Sequence, residues 1–110
     1  MIAVIFEVTL KAEGKARYFD MAQALKGKLS QIEGFISVER FQNLADPDSF
    51  LSLSFWQNEA AISQWKAHVE HQVAQEKGKI ELFSNYRIRV SNVIRDYGNE
   101  RNVTNKKEVK

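Results

Sequence analysis

Residues 35–57 read FISVERFQNLADPDSFLSLSFWQ. Two runs rich in aromatic and aliphatic side chains, Phe35 to Asn43 and Phe50 to Gln57, flank a polar loop, Leu44 to Ser49, that holds the only proline. Such runs bounded by turn residues predict two strands joined as a hairpin. What stands on either side of the hairpin then decides the fold. Upstream, Ile2, Val4, Phe6, Val8 and Leu10 alternate with Ala3, Ile5, Glu7 and Thr9, the period of a strand. After a turn at Ala12-Glu13-Gly14, the residues Ala16, Phe19, Ala22, Leu25, Leu29 and Ile32 recur at spacings of three and four. That stripe predicts an amphipathic helix over about Gly14 to Ile32, stopped by Gly34. Downstream, Asn58 is placed to cap a second helix and Glu59 to complement its dipole. This helix should run to about Lys77, with Gly78 as its stop, and a last strand should cover Tyr86 to about Asp96. The order is βαββαβ.

A βαββαβ order implies an α+β fold, the ferredoxin-like arrangement, in which a four-stranded antiparallel sheet carries both helices on one face. Sorting strand residues by parity places Val4, Phe6, Val8, Ile36, Val38, Leu51, Leu53, Phe55, Ile88 and Val90 under the helices. The other face should carry Ile5, Phe35, Phe41, Phe50 and Trp56 among Glu7, Ser37, Glu39, Ser52, Ser54, Arg87 and Arg89. Five large apolar side chains on a face the helices do not cover point to an interface. The expectation is a homodimer packed through its sheet faces, with Glu7 or Glu39 meeting Arg87 or Arg89.

Composition narrows the function classes. A chain of 110 residues, 44% hydrophobic and 27% charged, suits one soluble globular domain. The formal charge of +2 is carried entirely between Asn99 and Lys110, where Arg101, Lys106, Lys107 and Lys110 outweigh Glu100 and Glu108. The body is therefore neutral and offers no concentrated basic surface for nucleic acid. The RNA-recognition module shares this element order, but its third strand bears a basic residue, a glycine and base-stacking aromatics; SFLSLSFW has neither the basic residue nor the glycine. No apolar run reaches the roughly 20 residues of a membrane span. MIAVIFEVTL lacks a basic lead and a small-residue cleavage site, so a cytoplasmic location is expected. Zero cysteines exclude disulfides, thiolate metal sites and a cysteine nucleophile. Residues 99–110 read as a polar, flexible tail.

Groups able to carry polar chemistry gather between Phe55 and Tyr97. There is no Gly-rich phosphate loop, no G-x-S-x-G and no H-E-x-x-H. His68 and His71 are three apart on the second helix, without a nearby third ligand, so no metal site is expected. With Trp65 at the centre of the buried stripe, ideal geometry sets His68 roughly 60° and His71 roughly 120° away from it. A helical tryptophan is most often a core aromatic, a helix-surface histidine is usually solvated, and Arg87 and Arg89 are more often ion-pair partners than substrate ligands. Asp46 and Asp48 flank Pro47, where turn formation explains them better than paired-carboxylate chemistry.

The segment FWQNEAAISQWKAHVEHQVAQEKG, with Tyr86-Arg87-Ile88-Arg89-Val90 and Arg95-Asp96-Tyr97-Gly98 after it, resembles the antibiotic biosynthesis monooxygenase (ABM) family of dimeric α/β-barrel proteins. GFISVERFQNLADPDSFLSLSFW fits the family as well, and the likeness covers residues 1–98, the ABM-like domain. The resemblance implies oxygen chemistry in a pocket between sheet and helices. In the quinone-forming members no metal or flavin is used: a phenolic substrate is deprotonated and reacts with oxygen itself. On that pattern Trp65, His71 and Arg87 would be catalytic, with His71 as base and Arg87 stabilising an enolate or peroxide anion. His68, Phe55 and Tyr86 would contact a small aromatic substrate. The asparagine one turn before the tryptophan is Ala61 here, a departure from the pattern. The haem-degrading members offer the alternative, with haem as cofactor. There a first-strand asparagine falls at Glu7, and the ten-residue spacing from tryptophan to iron-binding histidine leads to Gln75, so that His71 would have to stand in through a shortened loop. A third reading is a non-catalytic dimer that binds a small molecule.

Overall fold

A computed structural model of the chain describes residues 1–75 and 83–99, with side chains at 1–69 and 85–99. Strand β1 spans Ile2–Leu10 and helix α1 Lys15–Leu29, after a 3-10 turn at Ala12–Gly14. Strands β2, Phe35–Gln42, and β3, Ser49–Trp56, form the expected hairpin. Helix α2, Glu59–Gln75, and strand β4, Phe83–Asn92, complete the order. All pairings are antiparallel and the sheet order is β2-β3-β1-β4. The expected helix stop at Gly78 and the tail beyond Asn99 lie outside the described residues.

Local chemistry sets the joints. The Asn58 side-chain oxygen accepts the Ala61 N–H at 2.9 Å, the predicted cap of α2. In the hairpin loop, Asp46 accepts from the Ser49 hydroxyl at 2.8 Å and from the Asp48 N–H at 3.1 Å. Those bonds hold its carboxyl below the ordinary range, the Ser49 bond contributing most. Lys15 at the start of α1 meets Asp48 at 2.7 Å, tying helix to loop. Gly34 stands at φ +100, a conformation that favours glycine, and its carbonyl accepts the Gln57 N–H at 2.7 Å.

The parity sort holds for β1 and β4 but inverts for β3. Trp56 pairs with Ile2 and Phe35, and Ser54 with Val4 and Val38. The buried cluster of Leu29, Ile32, Trp56 and Ala61, with Val4, Phe35, Val38, Ile62 and Trp65 packed against it, identifies that side as the one under the helices. Phe50, Ser52, Ser54 and Trp56 therefore face the helices, while Leu51, Leu53 and Phe55 face away. Both parities of this strand carry large apolar groups, so alternation alone did not decide between them. The indole does: Trp56 is only 2% exposed, and its N–H is satisfied by the buried Ser54 hydroxyl at 2.9 Å. An irregularity between Phe35 and Ser37 turns Phe35 inward, edge-on to Trp56 with ring centroids 5.3 Å apart, and leaves Ile36 45% exposed. The uncovered face thus bears Ile5, Phe41, Leu51, Leu53 and Phe55. It remains apolar with a changed membership.

Substituting Gly34→Ala should destabilise the fold by about 1–3 kcal/mol, because the residue would keep a positive φ. The new Cβ would also sit 2.9 Å from the Ala61 Cβ. A lower urea midpoint at unchanged m-value, partly restored by adding Ala61→Gly, is the expected result.

Candidate functional site

Pairing of β1 with β4 sets Val4 beside Val90, Phe6 beside Ile88 and Val8 beside Tyr86, all on the helix-facing side. On β1 these positions are buried or half-buried. On β4 they are not: Tyr86 is 58% exposed, Ile88 54% and Val90 51%. Ile62 and Trp65 of α2 pack onto the cluster that includes Val4. Among the described residues, then, α2 packs on this cluster, while the helix-facing positions of β4 form an open apolar trough. Phe6 and Tyr86 meet across its floor with ring centroids 6.1 Å apart. On its helical wall, the Trp65 ring lies 6.3 Å from the exposed His68 imidazole, tilted by 37°.

The opposite flank of this face is closed by α1. Phe19 contacts Phe50 edge-on with ring centroids 5.2 Å apart. Next to it, Arg40 donates to the Tyr18 phenol oxygen. Burial pushes that phenol above its ordinary pKa, and the charge and hydrogen bond of Arg40 oppose the rise without cancelling it.

The residues expected to form one site divide between two faces. Tyr86 stands on the helix-facing side of β4, and Trp65 and His68 neighbour each other on α2. Phe55 pairs with Ala3 and Ser37, and Arg87 with Glu7, on the side away from the helices. For Arg87 the signal was in the sequence, since it alternates with Tyr86 and Ile88. For Phe55 it was hidden by the two apolar parities of β3. The ion pairing was expected between two copies; within one chain, Arg89 reaches Glu7 at 3.0 Å. His71 lies on α2, and its side chain falls outside the described residues. Sequence reasoning did not single out Phe6, Ile88 and Val90 as site residues, because hydrophobicity on a helix-facing strand reads as core. Among the described residues no three His, Cys, Asp or Glu side chains gather to hold a metal ion. No helix among them is long and apolar enough to cross a membrane.

Comparison with known proteins gives a consistent result. Residues 1–77 match the antibiotic biosynthesis monooxygenase family. The chain is 38% identical over 93 residues to the jasmonate monooxygenase ABM of Pyricularia oryzae. That match takes in 84% of this chain and 43% of the fungal protein, so the chain spans less than half of that relative's length. Among solved structures, Rv0793 of Mycobacterium tuberculosis superposes with a TM-score of 0.74 at 13% identity, covering 88% of this chain and 98% of that one. A variant of MhuD with two manganese protoporphyrin IX molecules bound per active site gives a TM-score of 0.67 at 12% identity, covering 89% and 99%.

The Tyr18 environment makes a pH-dependent prediction. A phenol whose folded pKa is raised contributes its stability fully below the ordinary value of about 10, and loses it as pH rises through the folded value. Tyr18→Phe should remove one late component from the tyrosinate absorbance titration and flatten the alkaline fall in stability.

Proposed function

The chain belongs to the antibiotic biosynthesis monooxygenase family, and from that premise we propose that it is a cofactor-independent monooxygenase acting with O2 on a small electron-rich aromatic substrate. The observation that carries this reading is the strip of exposed apolar side chains on the helix-facing side of β4, the side of the sheet on which Trp65 also packs. A helix-facing face is normally core; here it is left open to a ligand. The fungal relative's name, a jasmonate monooxygenase, supports oxygen insertion as the reaction class.

A flat phenolic substrate would lie over Phe6, Ile88 and Val90, with Trp65 forming the wall of the slot. His68 is the base. Imidazole is the side chain suited to exchanging a proton near neutral pH, and removal of the phenol proton makes the ring an electron donor strong enough to reduce O2. Carbon–oxygen bond formation at the activated methylene then gives a hydroperoxide. Loss of water from it leaves a carbonyl, so that one methylene and one molecule of dioxygen become one carbonyl and one molecule of water. The proton held on His68 first converts the peroxide anion to that hydroperoxide; His68 then takes the carbon-bound proton and passes it to the departing hydroxide. Tyr86 supplies a hydroxyl donor on the floor for the developing oxyanion, a role in which it stands in for Arg87, whose register partner Glu7 belongs to the other face. His71, three residues further along the helix, is the second imidazole to test.

The residues present do not fit the haem alternative. Glu7 holds the place of the first-strand asparagine, but it faces away from Trp65 and is bound to Arg89, and the iron ligand's position is Gln75. The homodimer is proposed through the uncovered face. Proteins of this fold are commonly dimers, and Ile5, Phe41, Leu51, Leu53 and Phe55 give that face the apolar character of a covered surface.

Oxygen uptake with anthrone-like or dihydroxy-aromatic substrates should be unaffected by chelators and fall roughly a hundredfold or more in His68→Ala. Loss confined to His71→Ala would move the base to that residue. Absence of uptake across a broad panel would leave a non-catalytic binding protein. In sedimentation at micromolar concentration the chain should run as a dimer and Leu53→Asp as a monomer. A monomeric unmodified chain would defeat the sheet-to-sheet pairing.

A further inference from the structure

Helix-facing positions stand in rows across the strands, and one row runs from the open edge of the trough to the far edge of the sheet. Its members are Ile88 on β4, Phe6 on β1, Ser52 on β3 and Arg40 on β2. Ile88 is more than half exposed, while Phe6 and Ser52 are half-buried. Because β3 is an interior strand, flanked by β1 and β2, the surface that Ser52 exposes opens into the space between sheet and helices. Ser54, the other serine of β3 that faces this way, is buried and accepts the Trp56 N–H at 2.9 Å. The Ser52 hydroxyl, by contrast, makes no hydrogen bond among the described residues. A hydroxyl drawn away from bulk water without a partner is unfavourable, and packing alone would be served as well by alanine. Arg40, at the end of the row, is engaged: it donates to the Tyr18 phenol oxygen, and α1 closes the row there.

From this arrangement we infer that Ser52 is a substrate-binding residue of the trough, its hydroxyl holding a phenolic or carbonyl oxygen at the leading end of a fused-ring aromatic that lies over Phe6 and Ile88. The inference rests on the trough being the ligand site, as proposed above, and adds to it a class of substrate. From β4 to β3 is two strand spacings, roughly 10 Å, the length of two or three fused rings. A hydroxyl can donate to a carbonyl and accept from a phenol, so Ser52 suits either form of that oxygen. With Arg40 and Tyr18 closing the row behind it, the oxygen comes to rest at Ser52. Holding one oxygen at a fixed depth sets the register of the rings along the floor, and with it the carbon presented for reaction. One polar anchor in an apolar slot is enough to orient a small ligand.

The test measures binding to the full chain by equilibrium dialysis, with 2-naphthol and naphthalene, which differ only in the oxygen. Naphthol should bind about three- to tenfold more tightly, the range of one hydrogen bond. Ser52→Ala should bring the two affinities together by weakening naphthol alone, and Ser52→Thr, which keeps the hydroxyl, should retain the preference. Ile88→Trp, which fills the mouth of the slot, should weaken both probes alike. Circular dichroism of each variant confirms the fold, and Ser52→Cys, a weaker hydrogen-bonding group of similar shape, serves if Ser52→Ala does not fold. A preference for naphthol that survives the loss of the hydroxyl, equal affinities in the unmodified chain, no binding of either probe, or binding indifferent to Ile88→Trp would overturn the assignment. Oxygen uptake is measured separately. A chain that keeps the Ser52-dependent preference yet consumes no oxygen with any substrate would remove the oxygenase reading and leave this one in place.

Discussion

Burial of Trp56 is the constraint on which the rest of the molecule depends. An indole placed at the end of an interior strand must find cover for its rings and an acceptor for its N–H, and only the helix-facing side offers both: Leu29, Ile32 and Ala61 above it, Ser54 two residues back. Leaving such a donor unpaired in the interior would cost about 1–3 kcal/mol. Once that indole is turned inward, every second residue of β3 follows it, because a strand cannot rotate one side chain without the next. Ser52 and Ser54 come to lie under the helices, and two leucines and a phenylalanine are sent to the far side.

Much of this was legible in the chain itself. The alternation of β1, the stripes of the helices, the Asn58 cap and the turn-forming role of Asp46 were read directly. The parity of β4 was also readable, and it assigned Arg87 and Tyr86 to opposite faces; only the family pattern drew them into one pocket. The orientation of β3 was not readable, because Leu51, Leu53 and Phe55 alternate with serines as cleanly as a core strand would. The irregularity after Phe35 left no mark in composition either. Nor could the sequence reveal that Tyr86, Ile88 and Val90 stay more than half exposed on the helix-facing side, since exposure depends on how the helices seat on the sheet rather than on the strand.

The result is a sheet whose two sides have different tasks. The helix-facing side is covered at Phe50 by Phe19 and open toward β4, where Tyr86, Ile88 and Val90 are more than half exposed. The other side carries Arg87 and Arg89 along the β4 edge with Glu7 beside them, Glu39 on β2, and its hydrophobic groups on β1, β3 and β2. Glu7 is what keeps that edge ordered: by holding Arg89 it leaves one cation neutralised and one available. Exposed pairs of this kind contribute at most about 1 kcal/mol to stability, so the arrangement matters for where charge is presented more than for folding.

The more than half exposed side chains of Tyr86, Ile88 and Val90 contribute little packing to the core. Replacement at such positions typically shifts stability by about half a kcal/mol or less. The lining of the trough can therefore change while Trp56 and its neighbours hold the scaffold, which gives this architecture room to drift from one substrate to another without passing through an unfolded ancestor.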